Sequence, residues 1–176
     1  MIDIAMADLR GRVLVSQERV KFADANPYGH LASGAYVDMI MNHRVEVLED
    51  LIGFSILRYA SSGVAFPARN IDVSYIRPAH VGDMLEVGSW IHELKTSSFV
   101  VRAIISAASD RAVRALATIH FVTVDARTGK PVSVPEVLPS SALSNPLTRI
   151  PAVATYRETI IGLPEQWIES PVPAPT

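Results

Sequence analysis

One amphipathic helix pattern, followed by four strand patterns, is the feature of this sequence that most constrains its fold. Between about Gly34 and Gly53, apolar residues recur three and four positions apart, as expected for one buried helix face. The stripe consists of Val37, Ile40, Met41, Val47, Leu48 and Leu51. A helix of about 20 residues is about 30 Å long, so its apolar face needs a broad cover. We predict that Ser33 caps this helix and that Gly53 stops it.

Strand patterns flank the helix on both sides and supply that cover. Residues 12–22 form one pattern before the helix, and the patterns after it cover residues 66–77, 84–93, 98–105 and 112–124. Short polar links separate the last four runs, which is typical of neighbouring antiparallel strands. The sequence therefore predicts an α+β fold in which a curved antiparallel sheet of about five strands wraps one long central helix.

The proline content of the sequence rises sharply near residue 130. Nine of the twelve prolines lie between Pro131 and Pro175, where they disfavour regular strands and helices. We predict one domain over residues 1–130. Residues 131–176 are predicted to form a Pro-rich C-terminal extension that packs on this domain or trails from it.

Composition excludes several classes of function. The net charge is −2 and the basic residues are scattered, so the sequence lacks the clustered positive charge that binds nucleic acid. The absence of cysteine excludes disulfides and thiolate chemistry, and the histidines lack metal-ligand spacing, so we expect no metal. The first residues carry acids where a signal peptide carries Lys or Arg, and no apolar run is long enough to span a bilayer. We therefore expect a cytoplasmic protein without a membrane partner.

A polar turn, residues 22–30, lies directly before the helix and gathers three functional side chains: Asp24, Asn26 and His30. The first amides of a helix have no intrahelical partner and lie at the positive end of its dipole. The backbone N–H groups near Ser33 and Gly34 can therefore polarise a carbonyl oxygen. Near neutral pH, a carboxylate or an imidazole beside them can act as a general base.

The order of these motifs resembles the hotdog-fold acyl-CoA thioesterases of the 4-hydroxybenzoyl-CoA thioesterase type, over roughly residues 13–124. The resemblance rests on the polar turn, on Tyr36 and Arg44-x-Glu46 in the helix, and on Ser74-Tyr75-x-Arg77-Pro78-Ala79-x-x-Gly82-Asp83. It implies hydrolysis of an acyl-CoA thioester with no cofactor beyond the coenzyme A of the substrate. It also implies a homodimer or homotetramer whose sheets join edge to edge, with active sites at the dimer interface.

The family's catalytic carboxylate position is occupied here by Asn26. An amide can neither take a proton at neutral pH nor attack a thioester. Asp24 is the nearest spare carboxylate, about 6.5–7 Å from Asn26 on the same face if the chain is extended. His30 is the second candidate base, and Glu46 lies about 20 Å along the helix.

The predicted site consists of a catalytic set and a substrate-binding set. The catalytic set is Asp24, Asn26, His30, Ser33 and Gly34, with Ser33 acting through its backbone amide. The substrate-binding set is Tyr28, Tyr36, Lys95, Ser97 and Ser98, where the last three match a basic turn that holds the nucleotide phosphates of coenzyme A.

Two other functions stay open. The turn is also similar to the Asp-x-Asn-Pro-x-His signature of hotdog enoyl-CoA hydratases, although one extra residue precedes His30 and no His-Gly follows the helix. A protein that binds acyl-CoA without turnover is the non-enzymatic alternative. Arg44 lies within the apolar stripe, and because an unpaired buried charge is costly, we expect it to form a structural ion pair at the helix or at a dimer seam.

Overall fold

The computed structural model describes residues 2–5, 9–52, 55, 61, 63–134, 137–140 and 150–168. The strands are β1 (Ile2–Ala5), β2 (Leu14–Arg19), β3 (Val64–Ala65), β4 (Ala68–Tyr75), β5 (Met84–Leu94), β6 (Ser98–Ala107), β7 (Val113–Val122), β8 (Val124–Asp125) and β9 (Val137–Ser140). The helices are α1 (Ser33–Ile52), α2 (Val153–Glu158) and α3 (Glu165–Ile168). Within the described ranges, no helix is both long and apolar enough to cross a bilayer.

A five-stranded antiparallel sheet with the order β2-β5-β6-β7-β4 carries the fold. Strands β5, β6 and β7 follow one another as hairpins, as predicted. The predicted pairing of the 66–77 run with the next run is wrong, because β4 pairs with β7 at the far edge. The connection after β4, residues 76–83, crosses the start of α1 instead. There Leu31 N donates to Ala79 O at 2.8 Å and Val81 N donates to Gly29 O at 3.1 Å.

Helix α1 lies across the inner face of this sheet. Its predicted stripe supplies Ile40, Val47 and Leu48, which are almost fully buried against sheet residues. Burying one such side chain stabilises the fold by about 1.5–3 kcal/mol, so the helix is held chiefly by this stripe. The helix begins one residue before the predicted range, and the predicted stop at Gly53 lies outside the described residues.

A polar network interrupts the apolar contact between α1 and the sheet. The Nδ1 atom of His43 lies 2.7 Å from Ser16 Oγ, and its Nε2 atom lies 2.9 Å from Ser89 Oγ. Arg44 Nη1 donates to the same Ser89 oxygen at 3.3 Å. Since Ser89 Oγ accepts from Arg44, its own proton is free for Nε2, and Nδ1–H then donates to Ser16. The network is therefore consistent with a neutral His43.

The predicted ion pair of Arg44 is not found among the described residues of this chain. Their salt bridges do not include Arg44, although its side chain is buried. A serine hydroxyl accepts from the guanidinium instead, and burial lowers the pKa of Arg44 to about 10. Arg44 therefore stays charged at neutral pH.

The buried imidazole of His43 predicts a loss of stability in acid. Burial, and then the charge of Arg44, lower its pKa from 6.5 to about 3. The unfolded chain consequently binds a proton below pH 6.5 that the folded protein refuses until about pH 3. As the pH falls from 7 to 4, protonation of this residue in the unfolded chain should lower the free energy of unfolding by about 3 kcal/mol.

Urea denaturation of the native protein and of a His43→Gln variant, at pH 7, 5 and 4, measures this contribution. The difference in unfolding free energy between the two proteins should shrink by about 3 kcal/mol as the pH falls, because glutamine does not titrate. Parallel pH profiles for the two proteins would contradict a neutral buried imidazole.

The outer face of the sheet is covered by the C-terminal helices. Tyr156 of α2 packs against Gly88 of β5, where a Cβ atom would overlap the phenol ring. Glycine is thus required at this position by a close approach rather than by its backbone angle. A second apolar cluster results, formed by Val13, Trp90, Ile104, Val113, Leu116, Val153, Tyr156 and Ile160.

Candidate active site

A cleft of about 260 Å³ opens at the N-terminal end of α1. The polar turn, the first turn of α1 and the end of β4 meet there. The lining consists of Asn26, His30, Leu31, Ser33, Tyr36, Tyr75, Ile76, Arg77 and Pro78. Three of the five predicted catalytic residues and one predicted substrate contact, Tyr36, therefore lie around one space.

Asn26 holds the polar turn in shape. Its Oδ1 atom accepts from Tyr28 N at 3.0 Å and from His30 N at 3.2 Å, and its backbone N donates to His30 O at 2.8 Å. Gly29 has a φ of +76°, which favours glycine over residues with a side chain. With its oxygen engaged twice, the Asn26 carboxamide offers a ligand only its N–H donors.

Asp24 does not have the geometry expected from an extended chain. Residues Phe22–Asp24 form a short 3-10 turn, which also ends β2 earlier than predicted. The carbonyl of Asp24 accepts from Ala32 N at 2.9 Å and fixes this conformation. Asp24 is not part of the cleft lining. The extended chain on which the expected same-face pair of Asp24 and Asn26 depends is therefore not present.

The start of α1 presents unpaired backbone donors. Ala32 O accepts from Ala35 N at 3.0 Å and Tyr36 N at 3.4 Å, so Ser33 is the first helical residue and the predicted cap at Ser33 is wrong by one position. Within the described chain, the amides of Ser33 and Gly34 have no backbone acceptor. Both residues are exposed, and space around Gly34 is open. Two donors at the positive end of a long helix thus face solvent.

Two tyrosines fix the helix start against the sheet. Tyr75 Oη donates to Ser33 O at 2.9 Å, while Ala79 N donates to Tyr36 Oη at 3.1 Å. The rings pack edge to face at 5.3 Å. Burial raises the pKa of Tyr36, and the Ala79 bond partly opposes the shift, so the phenol stays protonated. Tyr75 belongs to a motif quoted above, but its contact with Ser33 depends on how β4 is placed.

His30 places an imidazole in the cleft. Its ring packs edge to face on His80 at 4.8 Å. Asp83 accepts from His80 N at 2.9 Å and lies 3.8 Å from His80 Nδ1. The neighbouring loop is thereby fixed behind His30. Sequence reasoning did not identify His80 or Asp83 as neighbours, because they follow His30 by some fifty residues.

The predicted coenzyme A contacts lie away from the cleft in this chain. Lys95 and Ser98 line a second pocket, of about 110 Å³, together with Arg69 and His120. Lys95 Nζ also pairs with Glu93 at 3.1 Å. This pocket adjoins the Ala68 end of β4, whereas the cleft adjoins its Tyr75 end, about 23 Å away for an extended strand.

The remaining predicted contacts have distinct surroundings. Tyr28 is 84% exposed at the tip of the polar turn. Ser97 accepts from Thr123 N at 2.9 Å through its backbone and is not part of the pocket lining. Arg69 and His120 were missed by sequence reasoning, because they become neighbours only through the β4–β7 pairing. Arg69 adds a guanidinium to this pocket, whose lining also includes Glu93.

The cleft and the sheet around α1 are those of a thioesterase-like protein: the family model of the Thioesterase-like superfamily matches residues 20–141, and the chain belongs to that family. The long-chain acyl-CoA thioesterase FadM of Escherichia coli K12 is 27% identical over 119 residues, covering 68% of this chain and 89% of FadM. The predicted hotdog thioesterase family is therefore confirmed.

Solved structures show the same fold. YbaW, a probable thioesterase from Escherichia coli, is 26% identical with a TM-score of 0.61, covering 68% of this chain and 89% of that one. A 1,4-dihydroxy-2-naphthoyl-CoA thioesterase from Synechocystis is 22% identical with a TM-score of 0.60, covering 86% and 97%. The predicted α+β hotdog fold is confirmed by these neighbours and by the sheet wrapped around α1.

Proposed function

We propose that this protein hydrolyses acyl-CoA thioesters in the cleft at the start of α1. The observation that carries the proposal is the pairing, in one cleft, of the free amide of Ser33 with the imidazole of His30; the free amide of Gly34 follows in the same helix turn. Membership of the Thioesterase-like superfamily and similarity to a long-chain acyl-CoA thioesterase support this reaction and this substrate class.

The reaction uses the amides as the electrophilic half of the site. The thioester oxygen accepts from the N–H groups of Ser33 and Gly34, which stabilise the charge that develops on it. His30 takes a proton from water as the hydroxide adds to the carbonyl carbon. Collapse of the tetrahedral intermediate breaks the C–S bond, and the protonated His30 returns its proton to the thiolate. Free acid and coenzyme A leave.

His30 is preferred to Asp24 as the base because it lines the cleft and Asp24 does not. The N–H donors of Asn26 then orient the water or the acyl group, which is a role that an amide can fill. This assignment keeps a base in the site although Asn26 occupies the usual carboxylate position.

We further propose a homodimer formed through β4. This edge strand is exposed over almost its whole length, and the unpaired N–H and C=O groups of such an edge are a template for pairing with a strand of another chain. Antiparallel pairing of two copies of β4 sets the Tyr75 end of one beside the Ala68 end of the other. The Lys95 pocket of the partner subunit then adjoins the cleft, so that one site takes its phosphate contacts from the second subunit.

Arg69→Ala and Lys95→Ala are expected to raise KM for acyl-CoA by about tenfold each, because each removes a charge-assisted phosphate contact. The kcat should stay near the native value, and KM for an acyl-pantetheine without nucleotide should not change. Steady-state thiol release with both substrates measures this. Arg127→Ala, at an exposed turn, is the matched control. An equal loss on both substrates would show that the pocket does not hold the nucleotide.

Thiol release from short, aromatic and long acyl-CoAs tests the function itself. We expect turnover by the native protein, with highest kcat/KM on long acyl chains. Enoyl-CoA is assayed in parallel for loss of its conjugated absorbance. Hydration without thiol release would establish the hydratase alternative, and saturable acyl-CoA binding with neither product would establish the non-enzymatic one.

A further inference from the structure

The proposed mechanism leaves one charged residue of the cleft, Arg77, without a role. Arg77 lines the cleft between Ile76 and Pro78. Among the described residues of the lining it carries the one permanent charge, because the others are apolar, aromatic or uncharged polar side chains and the imidazole of His30. No carboxylate belongs to this described lining. A guanidinium in such a cleft favours a ligand group that carries negative charge.

The chain on both sides of Arg77 is bonded to the start of α1. Two residues earlier, Tyr75 Oη donates to Ser33 O at 2.9 Å. Two residues later, Ala79 N donates to Tyr36 Oη at 3.1 Å. Two residues of chain span at most about 7 Å, so the backbone of Arg77 lies close to both contacts. Its side chain is long enough to reach the space in front of the helix start.

Hydrogen bonds and a proline fix the backbone that carries this side chain. Ile76 N and Arg77 N both donate to Arg114 O, at 2.8 Å and 3.2 Å. Pro78 restricts the backbone angles of the residue before it, which is Arg77. A cation on a fixed backbone loses less conformational freedom when it binds a ligand. The guanidinium of Arg77 is therefore positioned before a ligand arrives.

Asp110 is the carboxylate whose charge Arg77 affects. The hydrogen bond from Ala112 N is the largest cause that lowers the pKa of Asp110, and the charge of Arg77 is the smallest. Asp110 accepts from Ala112 N at 2.9 Å and from Arg114 Nη2 at 3.3 Å. Its oxygens are thus bonded to other donors, and its side chain is largely exposed. An exposed carboxylate of this kind attracts Arg77 weakly, so the guanidinium is able to bind a ligand in the cleft.

Hydrolysis of a thioester creates negative charge in this cleft. The thioester is neutral, but its oxygen becomes negative in the tetrahedral intermediate, and the released acid ionises to a carboxylate in neutral water. We propose that Arg77 donates to this oxygen in the intermediate and then binds the carboxylate of the acid product. This inference rests on the proposed hydrolysis and adds a carboxylate site to it. Charge-assisted hydrogen bonds from the guanidinium favour both charged species over the neutral substrate.

Octanoate and octanamide test the carboxylate site directly, because they differ in charge and hardly in shape. The affinity for each is measured by isothermal titration calorimetry at constant ionic strength, without acyl-CoA. We expect the native protein to bind octanoate about tenfold or more tightly than octanamide, since only the carboxylate accepts a charge-assisted bond from Arg77. Arg77→Gln should lose most of this preference. Arg77→Lys keeps the charge without the planar fork and should retain a smaller preference.

Thiol release from octanoyl-CoA provides a second readout. Arg77→Gln should lower kcat/KM by about tenfold and raise the inhibition constant of octanoate by about tenfold, because the same guanidinium stabilises the intermediate and the product. Arg127→Gln, on an exposed turn, is the matched control and should leave both constants at their native values. A purely structural role of Arg77 would not change the preference for octanoate over octanamide.

Equal affinity of the native protein for octanoate and octanamide would overturn the proposal, as would saturable binding of neither compound. An unchanged preference in Arg77→Gln would assign the carboxylate to other donors of the cleft and would overturn it as well. Thiol release by a native protein that shows no preference would leave the hydrolysis standing and remove Arg77 from it. A preference that depends on Arg77, without thiol release from any acyl-CoA, would support the carboxylate site and contradict the hydrolysis.

Discussion

Replacing His30 by alanine should lower kcat for acyl-CoA hydrolysis by about 10²–10⁴-fold, the usual contribution of a general base. The imidazole lines the cleft beside the helix amides, and the carboxamide of Asn26 cannot take over its role. KM should change little, because the proposed nucleotide contacts lie in the other pocket. Thiol release at saturating acyl-CoA, with circular dichroism to verify folding, measures the effect.

Two further variants make this result specific. His80→Ala removes the imidazole that packs against His30. Because His80 is not part of the cleft lining, this variant should lose far less kcat than His30→Ala. Adding Asn26→Asp to His30→Ala should restore part of the rate, because an aspartate keeps both acceptor contacts to the turn and supplies a carboxylate base. Native kcat in the His30→Ala protein would remove His30 from the mechanism.

Replacing Ser33 by proline should lower kcat by about 10²–10³-fold, the cost of removing one oxyanion donor. Proline lacks the backbone N–H but is favoured at the first position of a helix, which Ser33 occupies. The carbonyl of Ser33 remains available to Tyr75. The substitution therefore removes the proposed donor while keeping the helix start.

Ser33→Ala is the matched control, because it keeps the N–H and loses only the hydroxyl. We expect nearly native kcat for Ser33→Ala and a large loss for Ser33→Pro at equal thermal stability. If both variants lose activity equally, the side chain and not the backbone carries the function. If both remain active, the helix start does not hold the reacting oxygen.

The fold could be predicted from the sequence because its signals are local. The recurrence of apolar residues three and four positions apart predicts the helix, and Ile40, Val47 and Leu48 of this stripe are buried as the pattern indicates. Strand runs bounded by polar turns fix β5, β6 and β7 for the same reason. The position of β4 in the sheet cannot be predicted from local sequence. It depends on hydrogen bonds between the loop that follows β4 and residues 29–31.

The sequence predicts that the site is formed by a turn and a helix start. It does not predict where the side chains lie or which residues they contact. The bond from Ala32 to the Asp24 carbonyl curls residues 22–24 and keeps Asp24 out of the cleft lining. Arg69 and His120 lie on different strands and meet only through pairing, so no spacing in the sequence indicates their pocket. The residue types of the site were therefore easier to predict than their partners.

Subunit mixing is the most direct test of the proposal that the partner subunit completes the hydrolytic cleft with its phosphate contacts. His30→Ala subunits, defective in the cleft, are unfolded and refolded together with Arg69→Ala/Lys95→Ala subunits, and kcat/KM is measured below the native KM. Random pairing makes half of the dimers mixed, and each mixed dimer contains one site with neither defect, so about a quarter of the native rate should return. A rate no higher than the average of the two parent proteins would contradict a site shared across β4.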